Sequence, residues 1–310
     1  MPARRKTHVY GPVPSRRLGL SLGVDLVPYK TCSYDCVYCQ LGATTSKTVE
    51  LEEYVPTKEV LADIANWIER DGEADYITMS GSGEPTLHKD LRRIIAGVKE
   101  LTDLPVAVIT NGSLLWMESV AEACALSDLV VPSLDAGSER VFKAINRPHP
   151  DITYDLMVNG LREFQKLYDG PIWLEVMLVE GVNDSPELIA AMRKAIASTE
   201  PDRIQVNTVV RPPTEEYAGC IPPERLRQMA QALGGEAIAA YDTSHAHGAK
   251  ISQEGDILEL LKRRPCTVLD IASGLGIHEN EAVKQLNKML EEGTVVAERR
   301  GKNTLYRVTG

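Results

Sequence analysis

The chain predicts an α/β protein with a parallel sheet flanked by helices, followed by a smaller module of helices and one hairpin. Three observations carry this. Short apolar runs alternate with helical periodicity six times between about residues 20 and 233. The pattern changes after residue 252 to three short amphipathic stretches and a pair of strand-like segments. A chain of 310 residues holds one barrel or open sheet of about 200–250 residues and a small extra module. The divisions expected are 1–240, a linker at 241–252, and 253–310. Periodicity alone fits a (β/α) barrel and a doubly wound open sheet equally.

Residues 1–18 are basic and proline-rich, and read as an extended lead-in packed at the rim of the barrel. Arg16 and Arg17 read either as a solvated pair or as residues near a site. Leu20, Leu22, Val24 and Leu26 alternate with Ser21, Gly23 and Asp25, which is the period of a strand with one small, polar face. In a barrel that face leaves room for a ligand. Thr57 is the expected N-cap of a helix carrying Val60, Leu61, Ile64, Trp67 and Ile68 on one side. Strands follow at 76–80, 106–109, 129–134, 172–179 and 203–210. Helices are expected around 91–101, 117–125, 153–168, 186–197 and 226–233, the 186–197 helix opening on Ser185 as cap and Pro186 in its first turn. Gly234, Gly235 and the segment holding His245 and His247 read as linker or as a last strand. The two histidines lack a nearby partner for a metal site.

In the last 58 residues, Thr267 and Asp270 have capping-box spacing, and Gly293 stands where a helix C-terminus takes a left-handed residue. Segments 294–298 and 304–308 read as strands around a turn at Arg300–Asn303. Helix, helix, helix, hairpin resembles a winged helix. Its charges balance, nine basic against nine acidic, and only the hairpin is basic, through Arg299, Arg300 and Lys302. His278-Glu279-Asn280-Glu281 opens the third helix and would repel phosphates, so contact with RNA or protein by the hairpin is favoured over groove reading of DNA. Packing on the barrel is the alternative.

The densest chemical signal is Thr31-Cys32-Ser33-Tyr34-Asp35-Cys36-Val37-Tyr38-Cys39, three cysteines at C-x3-C-x2-C spacing. Three thiolates can hold three corners of a [4Fe-4S] cubane and leave the fourth iron open, as a catalytic metal site requires. Zinc would want a fourth ligand at paired spacing, and His8 and His88 are far off in sequence. Cys124, Cys220 and Cys266 are dispersed, which is no secreted disulfide framework and suits a reducing cytoplasm. The N-terminus lacks an apolar run after its charges, so no signal peptide is expected, and no stretch of about 18 apolar residues spans a membrane. The net charge of −10 argues against a general polyanion-binding surface.

The cysteine spacing, with Tyr38 before the third cysteine, resembles the radical S-adenosylmethionine (SAM) enzymes. Gly81-Ser82-Gly83-Glu84-Pro85 resembles their GGEP turn with Ser82 inserted or substituted; Thr110-Asn111-Gly112 and Ser133-Leu134-Asp135 follow the next two strands. The flanks Tyr10–Arg17 and Leu20–Pro28 resemble a subgroup near the tRNA wyosine synthases. The resemblance covers about residues 8–235 and implies a partial (β/α)6 barrel, open along one side. It also implies that Cys32, Cys36 and Cys39 bind the cluster and Tyr38 lies near the SAM adenine. Gly81, Gly83 and Glu84 would face the methionine ammonium, and Asn111, Ser133 and Asp135 the SAM carboxylate and ribose. Each also has a plain reading as a turn residue.

Implied further are SAM cleavage to a 5′-deoxyadenosyl radical, an electron donor of flavodoxin or ferredoxin type, and a substrate among RNA bases, proteins or small molecules. Asn183, Asp184 and the stretch from Asn207 to Arg211 are candidates to approach the adenine or the substrate. No catalytic side chain stands out: Cys220 is a candidate hydrogen-atom or thiolate donor set against a structural cysteine, and Arg147 meets an anionic substrate or caps a helix. The alternative class, an iron–sulfur regulator with a DNA-binding module, needs neither the six-unit barrel nor the glycine turn.

Overall fold

The structure, a computed structural model, describes residues 7–15, 17–70, 72–210, 213–238, 254–263, 265–275, 277, 279–300 and 303–309. Its first hairpin pairs β1 (Val9–Ser15) antiparallel with β2 (Gly19–Val24). From β2 every further partner is parallel. β5 (Tyr76–Met79), β6 (Val106–Thr110) and β7 (Leu129–Pro132) follow in order, after the short pair β3 (Thr31–Cys32) and β4 (Ser46–Lys47). Bridges Val130–Ile172 and Ser133–Glu175 carry the pairing to β8 (Trp173–Leu178), then β9 (Arg203–Thr208) and β10 (Glu236–Ala237). Each main-sheet strand thus pairs with the next in the chain. A doubly wound sheet reverses its strand order at a switch point; no reversal occurs here, so the barrel expectation holds over the open sheet. Among the described residues no pairing joins β1 to β10, and the barrel stays open.

The helices α1 (Thr57–Ile68), α2 (Leu91–Leu101), α3 (Glu118–Cys124), α4 (Glu139–Ile145), α5 (Tyr154–Leu167), α6 (Pro186–Ala197) and α7 (Pro223–Leu233) form the outer layer. α2 shows why: Leu91, Ile94, Ile95 and Val98 recur at helical spacing and are all buried, while Arg92, Arg93 and Lys99 face out. Each such side chain contributes about 1.5–3 kcal/mol by leaving water. The sheet has two apolar faces. Val106, Val108, Val130, Val176 and Val206 belong to the large core against the helices. Ala107, Leu129 and Val131, alternating with them, pack with Leu18 inside the barrel.

Several element expectations change. The lead-in is a strand because its backbone completes the exposed edge of β2. The room left by the small face of β2 is already filled: the Tyr10 ring covers Gly23, where an added Cβ would lie 2.0 Å from its ring carbon. Thr57 is the first residue of α1 and not its cap. Its hydroxyl donates to Asp90 Oδ2 (3.1 Å) and its N–H to Glu53 Oε1 (2.9 Å), while Pro56 occupies the cap position. Ser185 does cap α6, accepting from Leu188 N, with Pro186 in the first turn.

Residues 254–309 hold α8 (Glu254–Arg263), α9 (Val268–Leu275), α10 (Glu279–Glu291) and the antiparallel pair β11 (Val295–Arg300) and β12 (Asn303–Val308) around a core of their own. Thr267 and Asp270 cap α9 reciprocally, as their spacing predicts. The expected linker with His245 and His247, and Gly301 and Lys302 of the turn, lie outside the described residues, as do Arg16 and Arg211. No helix among the described residues is long and apolar enough to cross a membrane.

Candidate functional site

One end of the barrel gathers the loops that leave the C-terminal ends of the strands, the end where (β/α) barrels carry their chemistry. The cysteine loop follows β2. Its course is fixed by Glu84 N–H donating to Thr31 O (3.1 Å) and Lys30 N–H to Ser82 O (2.7 Å). The turn after β5 is packed so closely that a Cβ on Gly83 would lie 1.9 Å from Thr31 O, and one on Gly81, whose φ is +125°, 1.8 Å from Asp25 Oδ1. Gly83 is therefore required by the approach of two backbones, and Gly81 by its positive φ and the Asp25 carboxylate against it. Ser82 uses its N–H on Asp25 Oδ1 (2.7 Å) and its carbonyl on Lys30.

Cys32, Cys36 and Cys39 are partly buried free thiols. Amide groups converge on two sulfurs. Tyr34 N–H (3.5 Å) and Asn111 Nδ2 (3.6 Å) donate to Cys32 Sγ, and Asn146 Nδ2 (3.5 Å) to Cys36 Sγ. Burial first, and then neighbouring acidic groups and thiols, push Cys32 up to about 12 and Cys36 well above the ordinary thiol value. Burial also raises Cys39. Cysteine holds a metal as thiolate, so binding of a cluster here would release the thiol protons. Among the described residues no three His, Cys, Asp or Glu side chains converge as a single-ion site requires. The donor set, three soft sulfurs of which two face amide N–H groups, fits an iron–sulfur cluster.

Glu84 is buried and hydrogen-bonded on both oxygens. Its Oε1 accepts from Thr86 N (3.1 Å), Thr86 Oγ1 (2.6 Å) and Thr110 Oγ1 (2.6 Å), and its Oε2 from Asn111 N (2.8 Å). Burial raises its pKa against the pull of these donors. Asn111, so held, donates to Ser33 Oγ (2.8 Å) as well as to Cys32. Asp135 is likewise spent internally. Its Oδ2 accepts from Tyr38 OH (2.5 Å) and Asn146 Nδ2 (2.7 Å), its Oδ1 from Met177 N (2.8 Å), and burial lifts it to about 6. Tyr38 is therefore anchored beside the cysteines by Asp135. Ser133 is half-buried at the end of β7. Asn183 bonds Val179 N, Met177 O and Asp135 O, which makes it a buried loop brace.

Sequence reasoning missed Asn146 and gave Thr110, within its Thr110-Asn111-Gly112 motif, no role of its own; Asn146 stands 107 residues from Cys39 in sequence, and only α4 brings it over the loop. Arg147, at φ +45°, bridges Glu215 (2.6 Å), Tyr217 OH (3.1 Å) and Asp35 (3.8 Å). It thereby pins residues 213–222 over the cysteines, where Glu215 N–H donates to Val37 O (3.0 Å) and Thr214 Oγ1 to Cys39 O (3.0 Å). Cys220 lies in that segment with an exposed thiol turned to Ile221 O, while Cys124 and Cys266 are buried.

The chain is similar to a UPF0026 protein of Methanocaldococcus jannaschii, 32% identical over 94% of this chain and 92% of that one. It is 39% identical, over 93% of its length, to a Brachyspira hyodysenteriae protein named GTPase Obg, of which it spans only 43%. No G-x4-G-K-[S/T] phosphate-cradling sequence occurs here. Among solved structures it resembles a radical SAM methyltransferase from Sphaerobacter thermophilus (TM-score 0.53, 18% identity, 70% of this chain and 65% of that one). It also resembles Streptococcus suis SuiB bound to S-adenosylmethionine (TM-score 0.50, 18% identity, 67% and 45%). Both likenesses concern the fold. Residues 26–193 match the model of the Radical SAM superfamily, and this chain, an iron–sulfur enzyme, belongs to that superfamily and within it to the UPF0026 proteins.

Proposed function

We propose that Cys32, Cys36 and Cys39 hold a [4Fe-4S] cluster and that the enzyme abstracts a hydrogen atom from a base of RNA, most simply of tRNA. The observation that carries the site is the convergence of Asn111 and Asn146 on Cys32 and Cys36, each oriented by a buried carboxylate. When bound, the cluster supplies an electron to the SAM sulfonium, and cleavage yields methionine and the 5′-deoxyadenosyl radical that takes the hydrogen. Around it, Glu84 fixes Asn111, Asp135 fixes Tyr38 and Asn146, and the segment 213–222 screens the cysteine loop from water. Glu84 Oε2 accepts one bond from the protein, which leaves a lone pair for the methionine ammonium. Gly81, Gly83, Asn111 and Ser133 complete the reading of the SAM contacts. The electron donor is of flavodoxin or ferredoxin type.

The RNA reading rests on the resemblance of the N-terminal flanks to wyosine-synthase-like enzymes and on the C-terminal elements. Three helices followed by a two-stranded hairpin have the order of a winged helix, whose hairpin includes Arg299. In this reading residues 254–309 position the RNA and take no part in the chemistry. A modified protein or peptide is the rival substrate. Anaerobic turnover of the reconstituted enzyme with SAM, dithionite and deuterated substrate pools tests this. Deuterium is expected in 5′-deoxyadenosine with the tRNA pool; transfer only from a protein pool, or from neither pool, overturns the RNA reading.

A further inference from the structure

The interior of the barrel holds a charged cluster that the cysteine site does not use. Arg17, at the turn between β1 and β2, points inward and ion-pairs through Nη1 with Glu175 Oε2 at 2.5 Å, both side chains under a fifth exposed. Glu175 lies two residues along β8 from Trp173, which packs with Leu18, Ala107, Leu129 and Val131 as an apolar floor. Through its bridge to Ser133, Glu175 stands level with the end of β7. Asn207 Nδ2 donates to Glu175 Oε1 (2.7 Å). Ile204 and Val206 point to the helices, so Gln205 and Asn207 of β9 point into the barrel.

Three buried atoms of this cluster lack a hydrogen-bond partner among the described residues: Arg17 Nη1, which meets Glu175 only as an ion pair, and two amide oxygens. Asn207 is 1% exposed and Gln205 3%, yet Asn207 Oδ1 and Gln205 Oε1 have no hydrogen-bond partner among the described residues. The Asn207 amide cannot be turned round to hide the fault, because its NH2 already meets a carboxylate. A buried acceptor left empty is costly, and protein interiors seldom tolerate one without a ligand or water. The charge of Arg17, meanwhile, is offset by Glu175. With Arg17 Nη1 held in its ion pair, what the cluster has left to offer is acceptors.

We propose that Arg17, Glu175, Gln205 and Asn207 form the substrate-recognition cluster inside the barrel, and that it takes a neutral group rich in N–H or O–H donors. A carboxamide or an amino-substituted ring meets this requirement; a carboxylate or phosphate does not, since it would face Glu175 and two amide oxygens. The proposal deepens the functional reading above, names the group that the barrel interior would take from its substrate, and rests on that reading.

The test uses full-length protein with reconstituted cluster and ligand-observed NMR titration of two matched pairs, benzamide with benzoate and nicotinamide with nicotinate. Each amide should bind about tenfold more tightly than its acid, the worth of one charge-assisted hydrogen bond against a repulsion. Gln205→Met and Asn207→Leu should each reduce amide binding about tenfold; the melting temperature should hold in Gln205→Met, where an apolar side chain of like shape replaces an unpaired acceptor, and fall in Asn207→Leu, which also removes the donor to Glu175. Equal binding within both pairs, preference for the acids, no amide binding up to the solubility limit, or full amide binding in both variants overturns the proposal. Fragment binding needs no turnover. A wild-type preparation that binds amides but releases no 5′-deoxyadenosine from SAM would sink the functional reading and leave this one standing.

Discussion

Replacing Glu84 with Gln tests whether the buried carboxylate organises the site. The carboxylate accepts four bonds, two of them from the backbone N–H groups of Thr86 and Asn111 on different oxygens. A carboxamide has one oxygen, so in either orientation its NH2 confronts one of those N–H groups. Thr86 and Thr110 hydroxyls can rotate; the backbone cannot. One buried N–H without an acceptor costs about 1–3 kcal/mol, and two hydroxyl bonds to a neutral instead of a charged oxygen cost somewhat less than 1 kcal/mol each. Burial raises the Glu84 pKa, so removing the charge returns part of this. The net loss expected is about 2–3 kcal/mol. With a urea slope of about 3 kcal/mol per molar for a chain this size, the midpoint falls by just under about 1 M. Trp67, Trp116 and Trp173 all lie in the barrel region, so tryptophan fluorescence of cluster-free protein reports its transition. A midpoint within about 0.2 M of wild type would refute the organising role.

Alanine at Cys32, Cys36 or Cys39 should prevent assembly of a full cluster, read as iron and sulfide after anaerobic reconstitution; Cys124→Ala and Cys266→Ala should load normally. Gly83→Ala should be among the most damaging single changes outside the cysteines, because the new methyl meets the Thr31 carbonyl and not a yielding side chain; wild-type cluster loading and unchanged melting would contradict the packing described. His88, buried with Nε2 on Val55 O (2.8 Å) and Nδ1 accepting from Asp90 N (3.2 Å), has its pKa lowered chiefly by burial. The unfolded chain therefore takes up a proton first. The stability present above about pH 6.5 should decline as pH falls below that value toward the lowered folded pKa. In His88→Gln the decline between about pH 6.5 and 5.5 should be shallower; an unchanged slope removes His88 as its source.

The parallel sheet was legible because buried strands and amphipathic helices differ in period, as at Val106–Thr110 and Leu91–Leu101. β1 was not, because two prolines and a glycine in seven residues hide a strand whose reason for existing is an edge supplied by β2. The Thr57 cap failed because Asp90, 33 residues away, competes for its hydroxyl. In the site, the cysteines and the glycine turn were readable from spacing. What spacing cannot convey is that Glu84 and Asp135 turn their carboxylates inward to hold Asn111, Asn146 and Tyr38. That depends on how the ends of β5, β6 and β7 meet around the cysteine loop.

An incomplete barrel keeps the hazard that a closed one abolishes, a free strand edge that another chain can extend. Here β1 takes that position. Pro12 and Pro14 lack N–H groups to offer a newcomer, and α8 and α9 lie against the strand. The C-terminal helices thereby act as a guard for the sheet, whatever else they touch. Loosening them, for instance by polar substitution in their shared core at Leu286 or Ile271, would then show itself first as concentration-dependent association of the protein and only afterwards as lost activity.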